Sequence, residues 1–201
     1  MKKLVIATTN KKKKRELKAL FKGLNIKLLS PDDFKNIPKI KEDGGTFKEN
    51  AAKKAVITSK FTNELTMADD SGLEVDALGG RPGVFSARFS GRGADDLKNN
   101  KKLLRMLGHV PSCSRKAAFK CVIAIAKNGV LLKIVEGKCR GQIGFEMRGE
   151  SGFGYDPLFI FRELGKTFAE LDLKIKNQIS HRARALGKAK KFIACYFKKY
   201  P

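Results

Sequence analysis

The stretch "AAFKCVIAIAKNGVLLKIVEGKCRG", residues 117–141, carries the strongest fold signal in the chain. Phe119, Cys121, Ile123 and Ile125 recur at period two, and Asn128-Gly129 then supplies the pair best suited to a two-residue hairpin turn. Two strands joined by that turn are predicted here. Moving toward the N-terminus, residues 95–107 read as an amphipathic helix carrying Leu97, Leu103, Leu104 and Leu107. "LGGRPGVFSARFSG" (78–91) is a loop punctuated by Gly and Pro, and "TMADDSG" (66–72) is a short strand that runs into a turn at Ser71-Gly72. Thr46 followed by Glu49 forms a capping box that starts a helix reaching about Phe61. "KLVIA" (3–7) is a buried strand. A polar loop follows it, then a helix whose stripe is Leu17, Leu20, Phe21 and Leu24, with turns at Gly23 and at "SPDD" (30–33). Toward the C-terminus, "HRARALGKAKKFIACYFKKY" (181–200) closes the chain as a basic helix with Leu186, Phe192, Ile193 and Phe197 available for packing. The order is mixed α/β, with no internal repeat or linker.

The chain has 201 residues, 42% hydrophobic and 31% charged, a globular composition long enough for one folding unit over 1–201. Forty-three Lys and Arg against 20 Asp and Glu leave a formal charge of +23. The excess is mostly lysine scattered over many predicted helix faces, with few aromatics among the basic runs. That distribution favours a general lysine bias first, a field for nucleotide phosphates second, and a dedicated nucleic-acid surface last. No helix-turn-helix, zinc-finger or RNP-type motif occurs. Cys113, Cys121, Cys139 and Cys195 have neither CxxC spacing nor a nearby His at zinc-ligand intervals, so buried or free thiols in a reducing compartment are expected. The apolar run of "MKKLVIATTN" is too short for a signal-peptide core, and no stretch approaches a membrane span, so the cytoplasm is the expected location.

Four clusters carry chemistry. Thr8, Thr9 and Asn10 with Lys13 lie between a strand and a helix N-terminus, where hydroxyls, amides and the helix dipole favour a phosphate, or where Asn10 simply caps the helix. Glu42, Asp69 and Asp70 are oxygen donors flanked by predicted turns, a pattern that suits Mg²⁺ or an ordinary surface pair. In "SGFGYDP" (151–157) the glycines let a backbone approach a ligand, and Phe153 and Tyr155 offer rings for stacking, though the same residues make an ordinary turn. Ser180, His181 and Arg182, with Lys176 upstream, collect donors for carbonyl and phosphate oxygens. His109 reads as a surface or loop histidine.

In order, "ATTNKKK", "EDGGTFKENAAKKA", "ADDSGLEVDALGGRPGVFSARFSG", "GFGYDPLF" and "ISHRARAL" closely resemble the inosine triphosphate pyrophosphatase family, enzymes that hydrolyse non-standard purine nucleoside triphosphates. The resemblance runs from about residue 4 to the final helix. It implies an elongated α/β fold, a mixed central β-sheet with two α/β lobes flanking a nucleotide-binding cleft, and a homodimer. It also implies roles. Asp70 resembles the general base and a metal ligand, Glu42 a second ligand for Mg²⁺, and Ser71 a substrate contact. Thr8, Thr9, Asn10, Lys13 and Lys54 resemble a triphosphate cradle. Phe153, Gly154, Tyr155, Asp156, Lys176, His181 and Arg182 resemble a pocket for base and sugar. Thr9 stands where many relatives carry glycine, and Lys11 to Lys14 is unusually basic. The implied reaction converts ITP, dITP or XTP to the monophosphate and pyrophosphate. A pyrophosphatase acting on modified pyrimidines or standard nucleotides is the rival reading within enzymes, and a nucleic-acid-binding protein the rival outside them.

Overall fold

The computed structural model describes residues 2–10, 13–14, 17, 21 and 25–200. Seven strands hydrogen-bond in the order β2-β1-β3-β4-β5-β6-β7, where β1 is Lys2–Ile6, β2 Ile26–Leu29, β3 Thr66–Val75, β4 Lys116–Lys127, β5 Val130–Ile143, β6 Phe159–Phe161 and β7 Lys166–Thr167. β1 runs parallel to both β2 and β3, while β6 runs antiparallel to β5 and β7, so the sheet is mixed. The predicted hairpin forms at Asn128-Gly129, which take φ of 50° and 79° as a turn of this kind requires. Every residue from Cys121 to Ala126 is buried, so this part of β4 is covered on both faces rather than alternating with solvent.

Among the described residues, the helices α1 (Phe47–Thr62), α2 (Asp96–Met106), α3 (Leu173–Ile179) and α4 (His181–Lys199) accompany the sheet. Thr46 caps α1 by accepting from Glu49 N–H at 3.1 Å, as expected. Glu49 Oε2 accepts from Gly45 N–H at 2.8 Å, one residue before the cap. Residues 13, 14, 17 and 21 are helical, and Leu17 and Phe21 are buried; the predicted stripe positions Leu20 and Leu24 and the turn at Gly23 lie outside the described residues. In α2, Leu103 is buried, but Leu97 is 51% exposed and does not belong to the packed stripe. Pro31–Asp33 forms a single 3₁₀ turn where a turn was expected, and His109 is an exposed turn residue.

The chain divides into two compact units, one of Met1–Asp70, Cys121–Gly137 and Ala183–Pro201, the other of Ser71–Lys120 and Lys138–Arg182. In the first, Leu4, Ile6, Leu17, Phe21 and Met67 pack with Ile123, Ile125, Leu186 and Ile193. In the second, Leu73, Val75, Leu103 and Leu107 pack with an aromatic cluster of Phe119, Phe159, Phe161 and Phe168.

One expectation is corrected. Ser71-Gly72 does not end a strand, because β3 continues to Val75 and leaves Asp69 and Asp70 in its middle. Two tertiary partners explain the continuation. Leu73 N–H donates to Ser86 Oγ at 2.9 Å, and the side chains of Leu73 and Val75 are fully buried, so extending the strand both satisfies a backbone donor and removes apolar surface from water.

Candidate active site

Asp69 and Asp70 are buried, at 2% and 7% exposure. As neighbours in a strand they project to opposite sides, and their partners differ accordingly. Asp69 Oδ2 lies 2.8 Å from Lys13 Nζ. Asp70 Oδ2 accepts from Asn50 Nδ2 at 3.1 Å, and Asp70 Oδ1 stands 3.9 Å from Lys54 Nζ. The tight acidic pair of the sequence is therefore separated by the pleat and compensated by two lysines.

Lys54 sits one helical turn beyond Asn50 on the same face of α1. Its ammonium donates to Glu42 Oε1 at 2.6 Å and to the carbonyl of Asp69 at 2.7 Å. Burial, the largest single influence on Lys54, pulls its pKa down, yet Asp69, Asp70 and Glu42 together hold it above the ordinary lysine value. Asp70 moves upward: burial outweighs the opposing pull of Lys54 and Lys13. A buried carboxylate with a raised pKa beside fixed cations is suited to accept a proton from a bound water.

The loop after β1 serves as a helix start. Asn10 N–H donates to Thr8 Oγ1 at 3.3 Å, Asn10 Oδ1 accepts from Lys13 N–H at 3.1 Å, and Thr9 is exposed beside them. Asn10 thus caps the helix on which Lys13 stands. These residues, with Glu42, Lys54 and Asp70, all belong to the first unit.

The remaining candidates fall in the second unit. Asp156 Oδ2 accepts from Phe153 N–H at 2.8 Å and from Lys176 Nζ at 2.6 Å, with Lys176 and Asp156 both buried. Lys176 Nζ and the Arg182 guanidinium stand 5.2 and 5.4 Å from the Phe153 ring centroid, so two cations polarise that ring. Arg182 Nη2 donates to Ser71 Oγ at 3.1 Å. His181 is stacked on Phe119 with centroids 4.7 Å apart. Gly154, at φ 65°, gives its carbonyl to Asn100 Nδ2 at 2.8 Å. The Tyr155 ring belongs to the apolar cluster and its hydroxyl donates to Ser86 O at 2.9 Å, so this ring packs in the core instead of offering a stacking face.

Sequence reading missed Asn50, Asn100 and Phe119. Asn50 and Asn100 are polar residues on buried helix faces, 1% and 2% exposed, and such a mismatch with the apolar stripe was the available signal. Phe119 gave none, because a strand phenylalanine looks the same whether it faces aliphatic side chains or an imidazole.

Residues 4–192 match the Ham1 family. The chain belongs to the Ham1 family. Among curated relatives, a dITP/XTP pyrophosphatase of Desulforamulus reducens is 54% identical over 187 residues, 93% of each chain. A dITP/XTP pyrophosphatase of Geobacter sulfurreducens is 51% identical over 187 residues, 93% of this chain and 94% of that one. The solved HAM1 protein from Coxiella burnetii superposes with a TM-score of 0.89 at 41% identity, covering 96% of this chain and 99% of the other. In this Ham1-family chain the carboxylates of Glu42 and Asp70 both face the Lys54 ammonium, and carboxylate oxygens are the donor type that hard cations take. The Lys54 ammonium already stands against both carboxylates, so the fold accommodates positive charge at that point. Among the described residues, no three His, Cys, Asp or Glu side chains are grouped to hold a metal.

Proposed function

We propose that this protein hydrolyses non-standard purine nucleoside triphosphates, ITP, dITP and XTP, to the nucleoside monophosphate and pyrophosphate. The observation that carries the reading is Asp70, a buried carboxylate with a raised pKa between Asn50 and Lys54, in a chain 54% identical to a dITP/XTP pyrophosphatase. Asp70 orients the attacking water and takes its proton as oxygen bonds to the α-phosphorus. The bond from that phosphorus to the α-β bridging oxygen breaks, pyrophosphate leaves with the electron pair, and the proton on Asp70 returns to solvent. Lys54 and Lys13 neutralise negative charge that develops on the bridging and leaving oxygens. Mg²⁺ held by Glu42 and Asp70 would add charge neutralisation on the phosphate oxygens when bound.

Base choice we assign to the residues of the second unit. A keto purine presents an acceptor at its six-position, where adenine presents an amino donor. His181 and Arg182 supply donors for the former, Phe153 supplies the stacking ring, and Asp156 with Lys176 holds that ring's segment in place. We read the two units as lobes of one domain and the protein as a cytoplasmic homodimer with no dedicated nucleic-acid partner; light scattering on the purified protein checks the dimer. The deciding experiment is pyrophosphate release from a panel of ITP, dITP, XTP, the four standard triphosphates and modified pyrimidine triphosphates. Preference for the keto purines of the first three supports the proposal. Equal turnover of ATP, or preference for a pyrimidine, overturns it.

A further inference from the structure

We infer that Asn50 is a positioning residue that sets the spacing between the two acidic segments of the site, the loop carrying Glu42 and the strand carrying Asp70. This deepens the functional reading above and rests on it. Asn50 is 1% exposed, and its amide uses all the capacity the structure offers it. Its Oδ1 accepts from Gly44 N–H at 2.8 Å, and its Nδ2 donates to Gly44 O at 3.4 Å and to Asp70 Oδ2 at 3.1 Å. The orientation of the amide is determined by these partners. Only an oxygen can face the Gly44 N–H, and only an N–H can face a carboxylate oxygen. One planar group therefore clasps the backbone of Gly44 on one side and grips the proposed base on the other.

Gly44 lies two residues after Glu42, so the clasp controls where Glu42 enters the site. On the same face of α1, Lys54 contacts both Glu42 and Asp70 by charge. Charge alone tolerates a range of geometries; a three-point hydrogen-bonded amide does not. The clasp also explains glycine at 44. A Cβ there would stand 2.8 Å from Asn50 Oδ1 and 2.8 Å from the Glu49 Cβ, closer than side chains approach, and Asn50 would have to move. Asn50 acts through Asp70 and Glu42 and does not itself transfer a proton.

Two variants test this. Asn50→Asp keeps an acceptor for Gly44 N–H but replaces the donors to Asp70 and to Gly44 O with a second carboxylate, so its effect on kcat combines lost geometry with added charge. Gly44→Ala leaves Asn50 and Asp70 chemically intact and pushes the clasp out of place. Steady-state kinetics with dITP, binding of inosine monophosphate by calorimetry, and thermal melting are measured for parent and variants. The expected result is a kcat about 10- to 100-fold lower in both variants, with KM and monophosphate affinity within about threefold of the parent and a cooperative melt retained. A folded Asn50→Asp variant with kcat within twofold of the parent overturns the inference. So does a parallel loss of kcat and monophosphate affinity, which marks general disruption of the fold. If Asn50→Asp does not melt cooperatively, Gly44→Ala decides by the same criteria. A parent protein that releases no pyrophosphate from dITP overturns the functional reading and this inference with it; an active parent with unaffected variants overturns the inference alone.

Discussion

Lys13 Nζ lies 2.8 Å from Asp69 Oδ2, and the Asp69 side chain has no exposed surface. The lysine of the proposed triphosphate cradle thus meets a buried carboxylate of β3, while Asn10 caps the first turn of its helix. Asp69→Asn should raise KM for dITP about tenfold, the usual cost of losing a charged hydrogen bond that fixes a binding group. The loss should match that of Lys13→Ala, and combining the two should add little. A lower KM in Asp69→Asn would show that Asp69 competes with the substrate for Lys13.

Asp70→Asn should reduce kcat by about 10²- to 10⁴-fold, the range for removing a general base. Its melting temperature relative to the parent's should rise with pH across the range in which Asp70 ionises. Burial holds the folded-state pKa of Asp70 above its unfolded value, so the folded protein binds that proton more tightly than the unfolded chain. Ionising Asp70 therefore costs stability as pH rises through the window from the unfolded value to the raised one, and an amide avoids the cost. A relative melting temperature that falls as pH rises through that window contradicts this.

The acid limb of kcat/KM should lie above the ordinary aspartate pKa of about 4. Lys54 is the strongest of the influences that pull Asp70 back down. Lys54→Met should therefore shift that limb to higher pH while lowering the plateau. A limb that stays in place assigns the titration to another group.

Gly152 has φ 83°, and a Cβ on it would fall 2.1 Å from Asp156 Oδ2. Gly152→Ala should displace the carboxylate that holds Phe153 N–H and Lys176, and so raise KM for dITP by about tenfold or more. The ratio of kcat/KM between dITP and ATP should fall as well. A parallel loss for both nucleotides removes this loop from base choice.

Arg115 is 1% exposed, and its guanidinium donates to the carbonyls of Leu107, Val110, Ile143 and Gly144 at 2.9–3.4 Å, with the Phe145 ring 4.2 Å away. Arg115→Met fills much of the volume but strips donors from buried carbonyls, and should cost about 2–4 kcal/mol of stability by chemical denaturation. A change under about 0.5 kcal/mol would show that the carbonyls find other partners.

Local chemistry made much of this legible in the sequence alone. The Asn128-Gly129 turn, the Thr46 cap of α1, the mixed α/β order and the five motifs of the family all depend on neighbours a few residues apart, where turn geometry, capping and periodicity act directly. What Asp69 and Asp70 each do depended on the tertiary structure. Read as a string, "ADDSG" is a repelling pair before a turn. In the sheet the pleat turns the two side chains apart, Lys13 meets one, Asn50 and Lys54 meet the other, and Ser86 supplies the acceptor that lets β3 continue past Gly72. The same holds for Tyr155 and Asn50, an aromatic that packs in the core and a helix asparagine that clasps a loop. Their partners lie 6 to 69 residues away along the chain, and no local preference encodes a contact that only packing brings together.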